Sequence, residues 1–364
     1  MEAEHPYLDA VGALGPPLLH ALDALEKAQR HLHPPAIGGL RRVLATVVGP
    51  LDRAAEQLGE VEPPDELRSF AERLDLATRH AREALRGFVE PGADATARVL
   101  GAMRHHCRAQ AALYPLRTAL PPVNRYFFER AVWERCDELD PQPAEARVGL
   151  HVAHNDLEER GGFTLFVPES YDGAPLPLVV SLHGGSGHGA DFLWTWLREA
   201  RSRRFHLMSP TSRGPTWSLM GPDLDARALD SMIAFVCERW AVDREHILVT
   251  GLSDGATYSL LYGLRQEAPC TALAPVSGVL HPDNFGNGNI ERARGRRIYL
   301  VHGALDWMFP IDLARAAADE LTRAGADLVF REIEDLSHTY PRDENPRILE
   351  WFHQGLTLPD PAAG

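Results

Sequence analysis

With 364 residues, 45 % of them hydrophobic, the chain is long enough for one large domain or two ordinary ones around a sizeable core. A formal charge of −14 argues against nucleic acid as a partner. Lys27 is the only lysine, which excludes a phosphate-loop lysine, a Schiff-base lysine and a Ser-x-x-Lys dyad, so any serine chemistry has to use histidine.

Residues 1–140 alternate Ala-, Leu-, Arg- and Glu-rich stretches with the proline pairs Pro16-Pro17, Pro34-Pro35, Pro63-Pro64 and Pro121-Pro122. Apolar residues recur at three- and four-residue steps (Leu40, Val43, Leu44, Val47, Leu51; Leu67, Phe70, Leu74, Ala77), which predicts helices that stop at the prolines and pack as a bundle of three to five. A helix near 95–116 carries Arg104, His105, His106 and Arg108. Adjacent histidines on a helix point about 100° apart and cannot grip one ion as an i, i+4 pair does, so solvated or cap-packing roles are expected. The stretch from Asp137 to Glu145 is acidic and carries Pro141 and Pro143, which places a linker at 141–146.

Beyond it the pattern changes. Strands are predicted at Gly162–Val167, Leu176–Leu182, Arg204–Met208, His246–Thr250, Thr271–Ser277, Arg297–Val301 and Asp327–Ile333. Helices are expected near 225–240, from Ala256 onward, and near 312–324 and 345–354. Buried strands separated by helices imply an α/β domain over 147–355, a doubly wound and mostly parallel sheet covered on both faces, with residues 356–364 as a tail.

The sequence Val249-Thr250-Gly251-Leu252-Ser253-Asp254-Gly255-Ala256 runs from a buried strand through a glycine-flanked serine into a helix. Glycines two residues either side of the serine suit a sharp strand-to-helix turn in which a Cβ would collide with neighbouring chain. A serine hydroxyl is a weak nucleophile; it needs a histidine to take its proton and a carboxylate to hold that histidine's tautomer. Asp306 follows the strand at 297–301 and His338 follows the strand at 327–333, each at a C-terminal strand end. Glu334 and Asp335 are nearer to His338 in sequence but share its loop, from which reaching back to the imidazole is awkward.

Leu182-His183-Gly184-Gly185, the Gly251–Gly255 turn, His302-Gly303 followed by Asp306 and Pro310, and Ser337-His338 occur in the order of a known family. Residues 146–355 resemble an α/β-hydrolase of the esterase type, nearest to the phospholipase/carboxylesterase and polyester-depolymerase-like groups. The resemblance implies Ser253 as nucleophile, His338 as general base and Asp306 as its orienting acid. It further implies an oxyanion hole built from the Asp254 amide and the Gly185 amide, with Gly184 as the alternative donor. The Asp254 carboxylate is expected to point to solvent or toward an arginine. His183 and His302 are expected to hydrogen-bond loop backbone, and Trp307 and Trp217 to lie near the substrate.

The implied activity is hydrolysis of small to medium acyl esters through an acyl-enzyme, without metal or organic cofactor. A thioesterase or lysophospholipase of the same fold, and a non-catalytic binding protein on a hydrolase scaffold, are the alternatives. Gly185-Ser186-Gly187-His188-Gly189-Ala190 also fits the dinucleotide pattern GxGxxA, although the acid that would hold the ribose is missing after the next strand. Only residues 278–296 separate two of the strands, which leaves no room for an inserted helical cap. The helical front is therefore expected to pack beside the pocket as a lid, or to form a homo-oligomer interface. Cys107, Cys136, Cys237 and Cys270 lack metal spacing and read as reduced core residues. The acidic N-terminus and the want of a long apolar run suggest a cytoplasmic protein with no membrane span.

Overall fold

The structure, a computed structural model, describes residues 5–90, 95–142 and 147–359. The chain forms two compact units, Met1–Phe127 and Phe128–Gly364. The division falls ahead of the stretch at 141–146 expected as a linker, of which residues 143–146 lie outside the described residues, as do tail residues 360–364.

The first unit contains four long helices, α1 (Pro6–Arg30), α2 (Ile37–Gly59), α3 (Arg68–Val89) and α4 (Ala95–Leu113). Leu14, Leu18, Leu22 and Leu25 of α1, Leu44, Val47 and Leu51 of α2, and Leu74, Leu85 and Phe88 of α3 are buried. The crossing of α3 and α4 is tight: a Cβ on Gly87 would lie 2.8 Å from that of Ala102. Two expectations fail here. Helix α1 runs through Pro16 and Pro17 instead of stopping. The buried leucine stripe on both sides of the α1 pair offsets the roughly 3 kcal/mol that a mid-helix proline costs. His106 is buried, not solvated, and His105 Nδ1 sits 3.0 Å from His80 Nδ1 on α3.

The second unit is built on an eight-stranded sheet: β1 (Gly149–Ala153), β2 (Phe163–Val167), β3 (Leu176–Leu182), β4 (His206–Pro210), β5 (Val242–Leu252), β6 (Ala272–Val276), β7 (Arg297–Gly303) and β8 (Asp327–Ile333). Their order is β1-β2-β4-β3-β5-β6-β7-β8. β2 pairs antiparallel with β1 and β4, and every pair from β4 to β8 is parallel. β1 is a short edge strand, half-buried except for the exposed Val152, with no apolar run to announce it. In contrast, β3, β4 and β6 are buried at every position, as strands covered on both faces must be.

The chain order reverses at β3, which has β4 on one side and β5 on the other. In open α/β sheets the crevice beyond the C-terminal strand ends at such a reversal is where ligands bind. Here β3 delivers the turn from His183 to Gly185 and β5 delivers Ser253 to that point.

Residues 128–142 pack within this unit because their charges and apolar groups are satisfied there. Phe128, Val132, Cys136 and Leu139 form a small buried cluster. The buried Arg201 guanidinium bonds to Asp140 at 2.9 Å and to Glu169 at 3.2 Å, and stacks 3.9 Å over the Phe128 ring. Arg203 pairs with Glu129 at 2.6 Å.

Candidate active site

β5 ends in a turn at which Ser253 has φ 55° and ψ −116°, a conformation strained for an L-residue. Its amide bonds to Val276 of β6 and its carbonyl accepts from Thr257 in the following helix, Asp254–Gly263. The flanking glycines are there for space. A Cβ on Gly251 would lie 2.6 Å from the Gly255 carbonyl, and one on Gly255 would lie 2.4 Å from the Leu182 carbonyl oxygen.

Ser253 Oγ lies 3.0 Å from His338 Nε2, and His338 Nδ1 lies 2.8 Å from Asp306 Oδ2. With Nδ1–H donating to the carboxylate, the Nε2 lone pair faces the serine hydroxyl. The other Asp306 oxygen, Oδ1, accepts from the amides of Met308 at 2.9 Å and Phe309 at 2.8 Å. Burial works against ionisation of Asp306, but the bonds from His338 and the Phe309 amide outweigh it and hold the carboxyl below its ordinary range. Glu334 and Asp335 are exposed on the histidine's own loop. The acid and histidine loops are bound together: Leu305 N donates to the Leu336 carbonyl, and Ser337 Oγ to that of Leu305. A Cβ on Gly303 would meet the Leu336 carbonyl oxygen at 2.2 Å.

His302 lies beneath this pair. Its Nε2–H donates to the Phe309 carbonyl at 2.8 Å, so it holds the segment whose amide serves Asp306, and burial lowers its pKa and keeps it neutral.

Gly184 and Gly185 lie across from the serine. A Cβ on Gly184 would sit 3.6 Å from that of Ser253, and one on Gly185 would sit 2.7 Å from Asp254 Oδ2. Among the described residues, no acceptor pairs with the amides of Gly184, Gly185 or Asp254. His183 fixes the turn that carries the glycines: Nδ1–H donates to the Gly184 carbonyl at 2.7 Å, and Nε2 accepts from Ser212 N at 3.1 Å. Burial holds the His183 pKa down at about 3, so the ring stays neutral and keeps both bonds.

One sequence expectation is corrected here and another is sharpened. Trp217 is only 2 % exposed; its indole N–H donates to the His183 carbonyl at 2.8 Å and its ring stacks on Tyr258 at 5.4 Å. It buttresses the glycine turn from behind because an indole offers one donor and a large apolar face, which suits a core position against an orphan carbonyl. The half-buried Asp254 carboxylate does not reach an arginine among the described residues: Oδ2 accepts from Thr216 Oγ1 at 2.6 Å. Trp307 is 52 % exposed, and with the exposed Leu305 and Met308 it gives the loop around Asp306 an apolar rim.

Sequence reasoning missed Arg160 and Thr216. Arg160 donates to the carbonyls of Gly214 at 2.6 Å, Ser212 at 3.1 Å and Gly187 at 3.2 Å, which ties the 212–216 loop to the glycine turn. Neither residue stands in a motif, so no local signal marks them. The glycines of the GxGxxA pattern have a packing explanation: a Cβ on Gly185 would lie 2.7 Å from Asp254 Oδ2 and one on Gly187 2.9 Å from the Gly184 carbonyl oxygen, and the helix that follows is only Gly189–Phe192, too short to receive a pyrophosphate.

No helix among the described residues is long and apolar enough to cross a membrane. Residues 226–353 match the phospholipase/carboxylesterase family of α/β-hydrolases. No curated protein matches the chain in sequence. Among solved structures, a thermostable esterase aligns at 20 % identity and a TM-score of 0.46, covering 56 % of this chain and 61 % of that enzyme. A fluorophosphonate-binding serine hydrolase of Staphylococcus aureus aligns at 14 % identity and 0.47, covering 56 % of this chain and 97 % of the other. Acetyl xylan esterase from Aspergillus awamori aligns at 16 % and 0.44, covering 56 % and 98 %. The sheet order, the strained serine turn and the family match together give the second unit the α/β-hydrolase fold.

Proposed function

We propose that the protein is a serine carboxylesterase that hydrolyses small to medium acyl esters through an acyl-enzyme. The observation that carries this reading is the continuous line from Asp306 Oδ2 through His338 to Ser253 Oγ, with links of 2.8 and 3.0 Å, on a serine held in strained geometry.

Ser253 Oγ adds to the ester carbonyl carbon while its proton passes to His338 Nε2. Asp306, kept ionised by its two amide donors and by His338, stabilises the imidazolium so formed. The carbonyl oxygen, now anionic, receives the Asp254 amide and that of Gly185 or Gly184; each such donor is worth about 3 kcal/mol of barrier. The tetrahedral adduct collapses, the carbonyl carbon–alkoxy bond breaks, and the alcohol leaves with the proton from His338. Water then loses a proton to His338 and adds to the acyl carbon, and the acid departs as Ser253 recovers its hydrogen. The apolar rim of Leu305, Trp307 and Met308 supports an acyl or alcohol group without charge.

A fluorophosphonate probe followed by peptide mapping tests the assignment. Labelling is expected at Ser253 and absent in His338→Ala. Absence of labelling, together with no turnover of p-nitrophenyl acetate, butyrate and octanoate or of the matching thioesters, would replace the enzyme by a binding protein on a hydrolase scaffold.

A further inference from the structure

A second group of reactive side chains lies at the other end of β5 from Ser253. Asp243 and His246 are in the N-terminal half of that strand, and His353 directly follows the helix Asn345–Phe352. His246 Nδ1 is 2.6 Å from Asp243 Oδ2, and the His246 and His353 rings meet edge to face with centroids 4.1 Å apart. One ligating atom from each of the three residues lies within 4.8 Å of the other two. The reaction proposed above uses none of them.

We propose that Asp243, His246 and His353 bind a divalent transition-metal ion of the zinc class, which clamps the start of β5 to the C-terminal end of the last long helix. Two imidazoles and one carboxylate form a donor set that suits zinc, cobalt or nickel and disfavours calcium and magnesium, which take oxygen ligands. Three protein ligands leave a fourth position for water.

The side chains are already oriented. Asp243 Oδ1 accepts from the Glu245 amide at 3.0 Å, which fixes the carboxylate and leaves Oδ2 toward His246. The His246 ring is packed against Phe352 with centroids 5.9 Å apart. His353 Nδ1 is buried with no hydrogen-bond partner among the described residues, an exception for a polar atom that ordinarily has a reason. Gly355 makes room for that ring: a Cβ there would lie 2.5 Å from His353 Cε1 and 2.8 Å from Nδ1.

Ligation at His246 Nδ1 requires only a change of tautomer. The hydrogen now directed at Asp243 moves to Nε2, the freed Nδ1 lone pair turns to the ion, and no proton is lost from the ring. A tetrahedral ion with bonds of about 2.0–2.1 Å has ligand edges of about 3.3 Å. The three ligating atoms, all within 4.8 Å of one another, have to draw in only to that edge length to hold the ion.

The full-length chain, stripped with EDTA and dialysed, provides the test. Equilibrium dialysis against zinc should give one tightly held ion per chain, and cobalt should give the intense visible bands of a four-coordinate site. Thermal unfolding should shift upward with zinc in the wild type. His353→Ala and the near-isosteric Asp243→Asn should each weaken zinc binding at least about tenfold and abolish the thermal shift, with unchanged circular dichroism. His105→Ala, which removes one member of the His80–His105 pair on the helical unit, should leave zinc binding as it was. Wild-type affinity in His353→Ala, loss of zinc in His105→Ala instead, or no zinc bound by the wild type at micromolar concentration would each overturn the proposal.

Discussion

Thr216 Oγ1 donates to Asp254 Oδ2 at 2.6 Å, and this one bond decides where a negative charge stands beside the oxyanion hole. The Asp254 amide faces the developing oxyanion in the proposed reaction, while its carboxylate is held against the Gly185 turn by a residue from the 212–216 loop. Thr216→Val releases that carboxylate to swing among positions nearer the oxyanion. The expected result is a fall in kcat of about tenfold, smaller than the 10²–10³ that accompanies loss of a whole oxyanion donor, with KM little changed. Asp254→Asn keeps the amide and removes the charge, so its kcat should stay within about threefold of wild type. Steady-state kinetics on p-nitrophenyl butyrate distinguishes the two variants.

The backbone at Ser253, φ 55° and ψ −116°, is one that glycine adopts freely and serine does not. Ser253→Gly should therefore be inactive and more stable than the wild type. Relief of strain, about 1–3 kcal/mol, exceeds the 0.5–1 kcal/mol that glycine loses through its more flexible unfolded state, so a net gain of about 1 kcal/mol is expected. Urea unfolding of the two proteins reads it directly.

Trp217 serves the site without lining it. Trp217→Phe keeps most of the stacked surface on Tyr258 but leaves the His183 carbonyl without its donor, at a cost of about 1–3 kcal/mol in stability. Because the same turn carries Gly184 and Gly185, kcat should fall more than KM rises. Equal loss in a substrate-binding constant and none in kcat would return Trp217 to the pocket wall.

Two buried histidines make stability depend on pH. Burial holds His206 at about 4 and His183 at about 3, both below the 6.5 of a free imidazole. Between those values the unfolded chain binds more protons than the folded one, so this contribution to stability is complete above pH 6.5 and is lost as the pH falls. For His206 alone, the loss between pH 7 and pH 5 amounts to about 2 kcal/mol. His206→Gln should flatten the stability profile over that interval, measured by urea unfolding at each pH, while its effect at pH 7 reports the bond to the Ala241 carbonyl and the lost ring contact with Tyr171.

The residues of the proposed triad were legible because each is tied to a pattern that local sterics impose. Glycines flank Ser253 because a Cβ at 251 or 255 would occupy the same space as backbone. Asp306 and His338 each follow a run of strand residues, and in a parallel sheet the ends of such runs lie at one edge. β1 escaped notice because it is a five-residue edge strand, half-buried except for the exposed Val152, in which the alternation Leu150-His151-Val152 is too short to stand out. The helix through Pro16 and Pro17 escaped because the prolines' local penalty is visible in sequence, whereas the buried leucine stripe that outweighs it acts only after the bundle has formed.

The sequence by itself determined the run of strands from β2 to β8, the turn at Ser253 and the loops that hold Asp306 and His338, since periodicity, glycine sterics and strand ends are properties of neighbouring residues. Only the tertiary structure decided that Trp217 faces inward to the His183 carbonyl, that Thr216 captures Asp254, and that Arg160 draws three loop carbonyls together. It also brought His353 to within a ring's width of His246 across more than a hundred residues of chain. Those relations belong to groups distant in sequence that need partners once buried, and burial exists only when the sheet has closed around them.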